Sequence, residues 1–265
     1  MTYTGVLLKM DTVIGQPIQY DLTLNEDKIH INDLLDTALQ IRFEGYQCLS
    51  CGKSKKIFRQ GNCYDCFYSR PEVGDWIMRP ELSTAHLGIE DRDLSYEQEV
   101  QLKPHIVYLA LSSNVKVGVT RKTQVPTRWI DQGASAALEI LETPNRYLAG
   151  IAEVALKQHI SDKTNWRRML KNEIADIDLF KTRDELAPFI PAEAQPYLLR
   201  DKHAITELHF PVKRYPEKVK SLNLSKTPIY SGVLKGVKGQ YLIFDEGTVF
   251  NVRSNEGTVV SLDVG

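Results

Sequence analysis

The sequence predicts an α+β protein, and three features carry that expectation. Four cysteines stand as two Cys-x-x-Cys pairs between residues 48 and 66. A strand–turn–strand pattern from His105 leads towards the clearest amphipathic helix of the chain, and short alternating strands mark both ends. With 265 residues, 42% hydrophobic and 25% charged, the chain exceeds the ~100–200 residues of one domain and can build a real core. It divides into a β piece at 1–44, a cysteine ribbon at 45–75, an acidic linker at 76–101 and an α/β segment at 102–172. A helical, proline-punctuated region at 173–226 and a second β piece at 227–265 complete it.

The end pieces read alike. "YTGVLLKM" at 3–10 and "YSGVLKGV" at 230–237 share an aromatic-polar-Gly-Val-Leu strand. "IQYDLTL" follows the first; "GQYLIF" and "GTVFNV" follow the second across Gly-rich turns. Two or three strands are marginal alone, so the ends are expected to pack together or each to lean on the middle. Tyr241, Phe244, Phe250 and Arg253 either stack bases or, for the aromatics, fill core.

The ribbon is "CLSCGKSKKIFRQGNCYDC". A two-residue spacer lets both thiolates of a knuckle face one ion, so Cys48, Cys51, Cys63 and Cys66 form a closed four-cysteine set for structural zinc. Disulfides suit a secreted chain, and a thioredoxin-like pair needs a βαβ setting; neither matches this pattern. "KSKKIFRQ" is expected to form short ribbon strands, and Lys53, Lys55, Lys56 and Arg59 either touch a nucleic-acid backbone or simply solvate a staple.

The net charge of −1 excludes a uniformly basic coat, but charge is unevenly placed. Glu81 to Glu99 holds six acids against Arg92. Gln101 to Ile130 holds Lys103, Lys116, Arg121, Lys122 and Arg128 with no acid, and Lys157, Lys163, Arg167, Arg168 and Lys171 face only Asp162. Such stretches make a local anion-binding face or solvate helices and loops. The longest apolar run, Ile106 to Leu111, is far short of the ~20 residues of a membrane helix, so no membrane partner is expected and the expected address is cytoplasmic. Nothing in the sequence fixes the oligomeric state.

In the middle, "HIVYLALSS" and "VKVGVT" form a hairpin about Asn114. "TRKTQVP" is a loop, and Thr127 is placed to cap a short helix from Arg128. "AALEILE" is a strand or a short helix. In "RYLAGIAEVALKQHI", Leu148, Ile151, Ala152, Ala155, Leu156 and His159 share one helical face. Glu153 stands at its edge, either projecting into a groove or pairing with Lys157 four residues on.

"VYL" at 107–109, "KVG" at 116–118, Arg128 and Glu153 resemble the GIY-YIG nuclease superfamily, in the variant that writes its second signature "KIG". The resemblance covers about 65 of the 265 residues. It implies a three-stranded antiparallel sheet with flanking helices. It further implies Tyr108 near the attacking water, Arg128 on the phosphate and Glu153 holding Mg²⁺ or Mn²⁺. Asn165 resembles the Asn that follows the Glu helix, and Lys116, Arg121, Lys122 and Arg167 would face a nucleic-acid backbone, DNA or RNA. Lys116 stands where "YIG" has its first Tyr, and "RWIDQGA" lacks the His that often follows the Arg. The function implied is therefore a metal-dependent phosphodiesterase, with a non-cutting nucleic-acid-binding module or a zinc-stapled interaction scaffold as alternatives. The joined pattern is also similar to an uncharacterised family that unites a four-cysteine zinc ribbon with such a domain and carries further Cys and His between them. Here that stretch keeps only His86 and His105, so a second zinc is not expected.

Overall fold

The computed structural model describes residues 1–160, 165–201 and 204–265. Met1–Ser69, Leu170–Asn172 and Leu208–Gly265 make one compact unit; Arg70–Met169 and Glu173–Glu207 make another. The chain begins with β1 (Thr2–Val6), β2 (Asp11–Val13), β3 (Gln19–Leu24), β4 (Asp27–His30) and β5 (Ala38–Tyr46), then the knuckles and α1 (Tyr64–Ser69). Next come α2 (Asp75–Met78), α3 (Leu94–Gln101), β6 (His105–Leu111), β7 (Val115–Arg121), α4 (Thr127–Asp131), β8 (Ala136–Thr143) and α5 (Arg146–Lys157). After α6 (Trp166–Leu170), α7 (Leu179–Leu186) and β9 (Thr206–Glu207), the chain ends with β10 (Lys220–Ser221), β11 (Ile229–Lys238), β12 (Tyr241–Phe244), β13 (Thr248–Asn251) and β14 (Thr258–Val264). The architecture is α+β with strands at both termini, as expected. Among the described residues, no helix is long and apolar enough to cross a membrane.

In the first unit the two chain ends share one seven-stranded sheet, ordered β1-β14-β5-β11-β12-β13-β10. The two sequence-similar strands flank a central pair: β1 pairs antiparallel with β14, and β11 with β5. β5 also pairs with β14, setting Ile41 between Tyr230 and Leu262. A three-stranded sheet, β2-β3-β4, completes the unit. β3 shows the period-two burial of a strand with one covered face, with Tyr20, Leu22 and Leu24 inside. Phe244 and Phe250 are core residues, each 1% exposed, so they are not a base-stacking surface; Tyr241 is half-buried.

The expected ribbon strands between the knuckles do not form. Only a single bridge, Arg59–Asn62, closes this segment, because the lysine-rich stretch is exposed and has no partner strand among the described residues. The second knuckle runs instead into helix α1, which carries Cys66.

In the second unit the sheet order is β7-β6-β8-β9. "AALEILE" is therefore a strand. β6 is central, hydrogen-bonded on both sides, which accounts for its unbroken apolar run; all but its last residue are buried. Val107 and Leu109 enter a core with Val117, Leu138, Ala149, Ala152, Leu156 and Leu179. Asn145 caps α5, its side chain accepting the Leu148 N–H at 2.9 Å. The buried face of α5 differs from the one expected. Arg146, Ala149, Gly150, Ala152, Glu153 and Leu156 point inward, while Leu148, Ile151 and Ala155 are only half-buried. The inward set follows from a second packing partner, the turn at Pro80–Leu82, which lies so close that a Cβ on Gly150 would overlap the Pro80–Glu81 backbone. α4 starts at Thr127 without a side-chain cap; Pro126 holds the N-cap position, so Thr127 does not cap this helix.

The acidic stretch 76–101 is folded, and several of its acids tie down backbone. Glu97 is fully buried and accepts the N–H groups of Asp91, Arg92 and Asp93; Asp93 caps α3 by accepting from Tyr96.

Candidate functional site

The four cysteine sulfurs lie within 4.8 Å of one another, with Cys51 Sγ and Cys63 Sγ 4.0 Å apart. A tetrahedral zinc with Zn–S of ~2.3 Å spaces its sulfurs about 3.8 Å apart, so the group has the dimensions of one four-sulfur site. Burial pushes Cys48 up, but the backbone N–H groups of Cys63, Cys51 and Ser50 outweigh it and bring the thiol down to about 6. Burial and the three neighbouring thiols push Cys66 up to about 12. Thiolate formation is thus favoured at Cys48 and opposed at Cys66, and a bound divalent cation would favour the ionised form of its ligands. Four sulfur donors suit zinc, and such a set would by itself complete a tetrahedral shell.

A separate cavity of about 180 Å³ opens in the second unit. Ile77, Met78 and Pro80 form one wall, Lys116 to Val119 of β7 another, and Tyr108, Arg128, Gln132, Arg146, Glu153 and Lys157 complete the lining. The phenol, guanidinium and carboxylate singled out in the sequence therefore meet at one hollow. Tyr108 is fully buried and packs edge-on to Trp129 at 5.9 Å. Its hydroxyl accepts from Gln132 Nε2 at 2.9 Å, and the Arg128 guanidinium lies near enough to act on its charge. Burial raises its pKa against the pull of Arg128 and Gln132, so the phenol stays protonated at neutral pH. Tyr108 and Gly118 are cross-strand partners, and a Cβ on Gly118 would stand 2.6 Å from the hydroxyl and the ring. The glycine of "KVG" is what lets the ring lie across β7.

Glu153 is 6% exposed and is the only carboxylate among the described residues lining the cavity. Burial raises its pKa; Lys157, 3.1 Å away, and Arg146 oppose that. Arg146 donates from Nε to Trp76 O at 3.0 Å and from Nη2 to Ile77 O at 2.7 Å, which fixes its guanidinium at the wall. Burial lowers its pKa to about 10, so it remains a cation at neutral pH. Four cations, Lys116, Arg128, Arg146 and Lys157, thus face one carboxylate.

The other expected phosphate contacts lie outside this lining. Lys122 pairs with Glu142 at 2.6 Å, Arg121 ends β7 opposite His105, and Arg167 stacks on Trp166 at 4.3 Å. Asn165 accepts the Arg168 N–H at 3.2 Å and so supports the start of α6. Asp162 and Lys163 fall outside the described residues. His105 is buried with Nδ1 on Lys103 O at 2.7 Å, and His86 stacks on Tyr147 at 4.4 Å; the only metal-holding group among the described residues is the cysteine one.

A family profile described as "Protein of unknown function (DUF2797)" matches residues 36–260. The chain belongs to this family. The match spans β5 to β14 and so includes the cysteine centre and the whole cavity. Neither the curated proteins nor the solved structures contain a match to this DUF2797 chain. Two polar cavity residues of the DUF2797 fold were not singled out from the sequence, Arg146 and Gln132. Arg146 carried a signal: a cation in the first turn of a helix opposes the helix dipole and calls for a reason. Gln132 carried none.

Proposed function

We propose that the protein binds nucleic acid, seating a backbone phosphate in the Tyr108–Arg128–Glu153 cavity, and hydrolyses that phosphodiester with a divalent cation. The observation that carries this reading is the lining itself: four cations, a phenol and one buried glutamate around about 180 Å³. The guanidinium of Arg128 matches two phosphate oxygens at once, and Arg146, clamped by two backbone carbonyls, adds charge without moving. Tyr108, protonated and oriented by Gln132, donates to an oxygen instead of removing a proton. The resemblance to the GIY-YIG superfamily assigns Glu153 the metal. One carboxylate with substrate oxygens and waters suffices for Mg²⁺ or Mn²⁺, which would supply an activated water and stabilise the departing oxygen. Glu153 takes that role only by exchanging Lys157 for the cation.

That same ion pair favours a second reading, a module that holds nucleic acid without cutting it. The test is incubation of the protein with labelled single- and double-stranded DNA and RNA in Mg²⁺ or Mn²⁺, beside Arg128→Ala and Glu153→Gln. Hydrolysis is expected, reduced about 10²–10³-fold in Arg128→Ala and abolished in Glu153→Gln while binding persists. Salt-sensitive binding without cleavage in any lane selects the second reading. Absence of binding to every probe ends both.

A further inference from the structure

The cysteine centre carries an aromatic layer that its own packing does not use. Phe58, Tyr64 and Tyr68 are 42%, 61% and 56% exposed. Tyr64 and Tyr68, one helical turn apart on α1, have ring centroids 4.8 Å apart; Phe58 meets Tyr64 at 5.2 Å and Phe67 at 5.3 Å. The buried cluster beneath consists of the cysteines alone, so these rings are not its core. Burying such surface is ordinarily worth far more than leaving it in water. The segment that carries Phe58 is cationic. Arg59 lies over Phe58 at 5.4 Å, Lys53 and Lys56 are exposed, and Asp65 is held by Lys55 at 2.6 Å.

We propose that this surface of the zinc knuckle stacks unpaired bases of a single-stranded nucleic acid, with Lys53, Lys56 and Arg59 on its backbone. Both halves of that ligand are matched. The rings are inclined to one another, Tyr64 and Tyr68 by 54° and Phe58 and Tyr64 by 72°, so an unpaired base would stack on one exposed face at a time; the cations of the same segment answer the phosphates, the pairing used by single-strand binders. A duplex hides its base faces and leaves only the phosphates to contact. The platform rests on the nucleic-acid reading above but not on hydrolysis, and it adds to that reading a preference for unpaired substrate.

The experiment uses the zinc-loaded full chain and fluorescence anisotropy with dT12, U12 and a hairpin duplex of equal length. Single strands are expected to bind more tightly than the duplex. Tyr64→Ala and Tyr68→Ala should each weaken single-strand binding about tenfold at unchanged zinc content and melting temperature. Tyr64→Phe should restore it, because a phenyl ring stacks as a phenol does. Lys53→Ala with Lys56→Ala should lower the salt dependence, which ring removal leaves unchanged. The ratio of dT12 to U12 affinity tells DNA from RNA. Binding that ignores both rings overturns the platform alone, and no binding of the wild type to any probe overturns the nucleic-acid reading with it. A dimer in sedimentation that Tyr64→Ala dissociates assigns the surface to a second copy and also overturns the proposal.

Discussion

A single missing methyl, at Gly118, decides where the phenol of Tyr108 can lie. Gly118→Ala would push the ring off β7, since the new Cβ would meet it at 2.6 Å. The expected cost is about 1–3 kcal/mol in denaturant unfolding, together with loss of phosphate affinity; an unchanged affinity would detach Tyr108 from the site. Glu153 offers a test through pH. Its folded pKa lies above the unfolded value of 4.5, so the folded state holds the proton longer and stability falls as pH rises through that window. Glu153→Gln should therefore gain stability relative to wild type as pH rises from 4.5 through the folded pKa of Glu153. If the variant loses ground instead, the Lys157 ion pair outweighs burial. His105 behaves oppositely. Burial lowers its pKa from 6.5 to about 4, so the unfolded chain takes the proton first. About 3 kcal/mol is fully present above pH 6.5 and lost as pH falls to 4. His105→Phe should remove that acid-side slope from thermal melts.

The packing of α5 on the turn at Pro80–Leu82 holds the cavity wall. In an open helix Gly→Ala stabilises by about 1 kcal/mol. At Gly150 the sign should reverse, because the added carbon overlaps the Pro80–Glu81 backbone. The melting temperature of Gly150→Ala reads this directly, and a rise would show that the wall yields. The knuckles make a second, independent element. Cys63→Ser or strong chelation should release one zinc per chain and expose amides of residues 46–69 to hydrogen exchange, leaving the β7-β6-β8 sheet protected. These elements were legible to different degrees. The Cys-x-x-Cys spacing and the 105–120 hairpin name their own partners within about twenty residues. The buried face of α5 was not legible, because α2, whose carbonyls hold Arg146, and the turn packed on Gly150 lie some seventy residues upstream. The short strand expected in "KSKKIFRQ" failed for want of a partner, which no local pattern reveals.

Across the whole molecule, a short resemblance singled out Tyr108, Arg128 and Glu153 from distant parts of the chain, and all three line one cavity. Charge counting along the chain was the weaker guide. The cations between 101 and 130 looked unopposed, yet Lys122 finds Glu142 and Lys103 finds Glu99, acids just outside the window counted. Lys116 and Arg128 are the two that reach the cavity. The pairing of the chain ends was visible only as two similar strands, since strand order in a sheet depends on partners more than two hundred residues apart.

β5 is bracketed on one side by β14 and on the other by β11, both drawn from residues 229–264. A ribosome therefore finishes β5 almost two hundred residues before either neighbour emerges, and for that interval both rims of the strand, with Leu39 and Ile41 uncovered, stand open to any passing strand. Residues 70–169 face no such delay, since β6, β7 and β8 follow one another directly. Chains released before Ile229 should accumulate as aggregates, while a chaperone holding the nascent N-terminal strands should restore their yield.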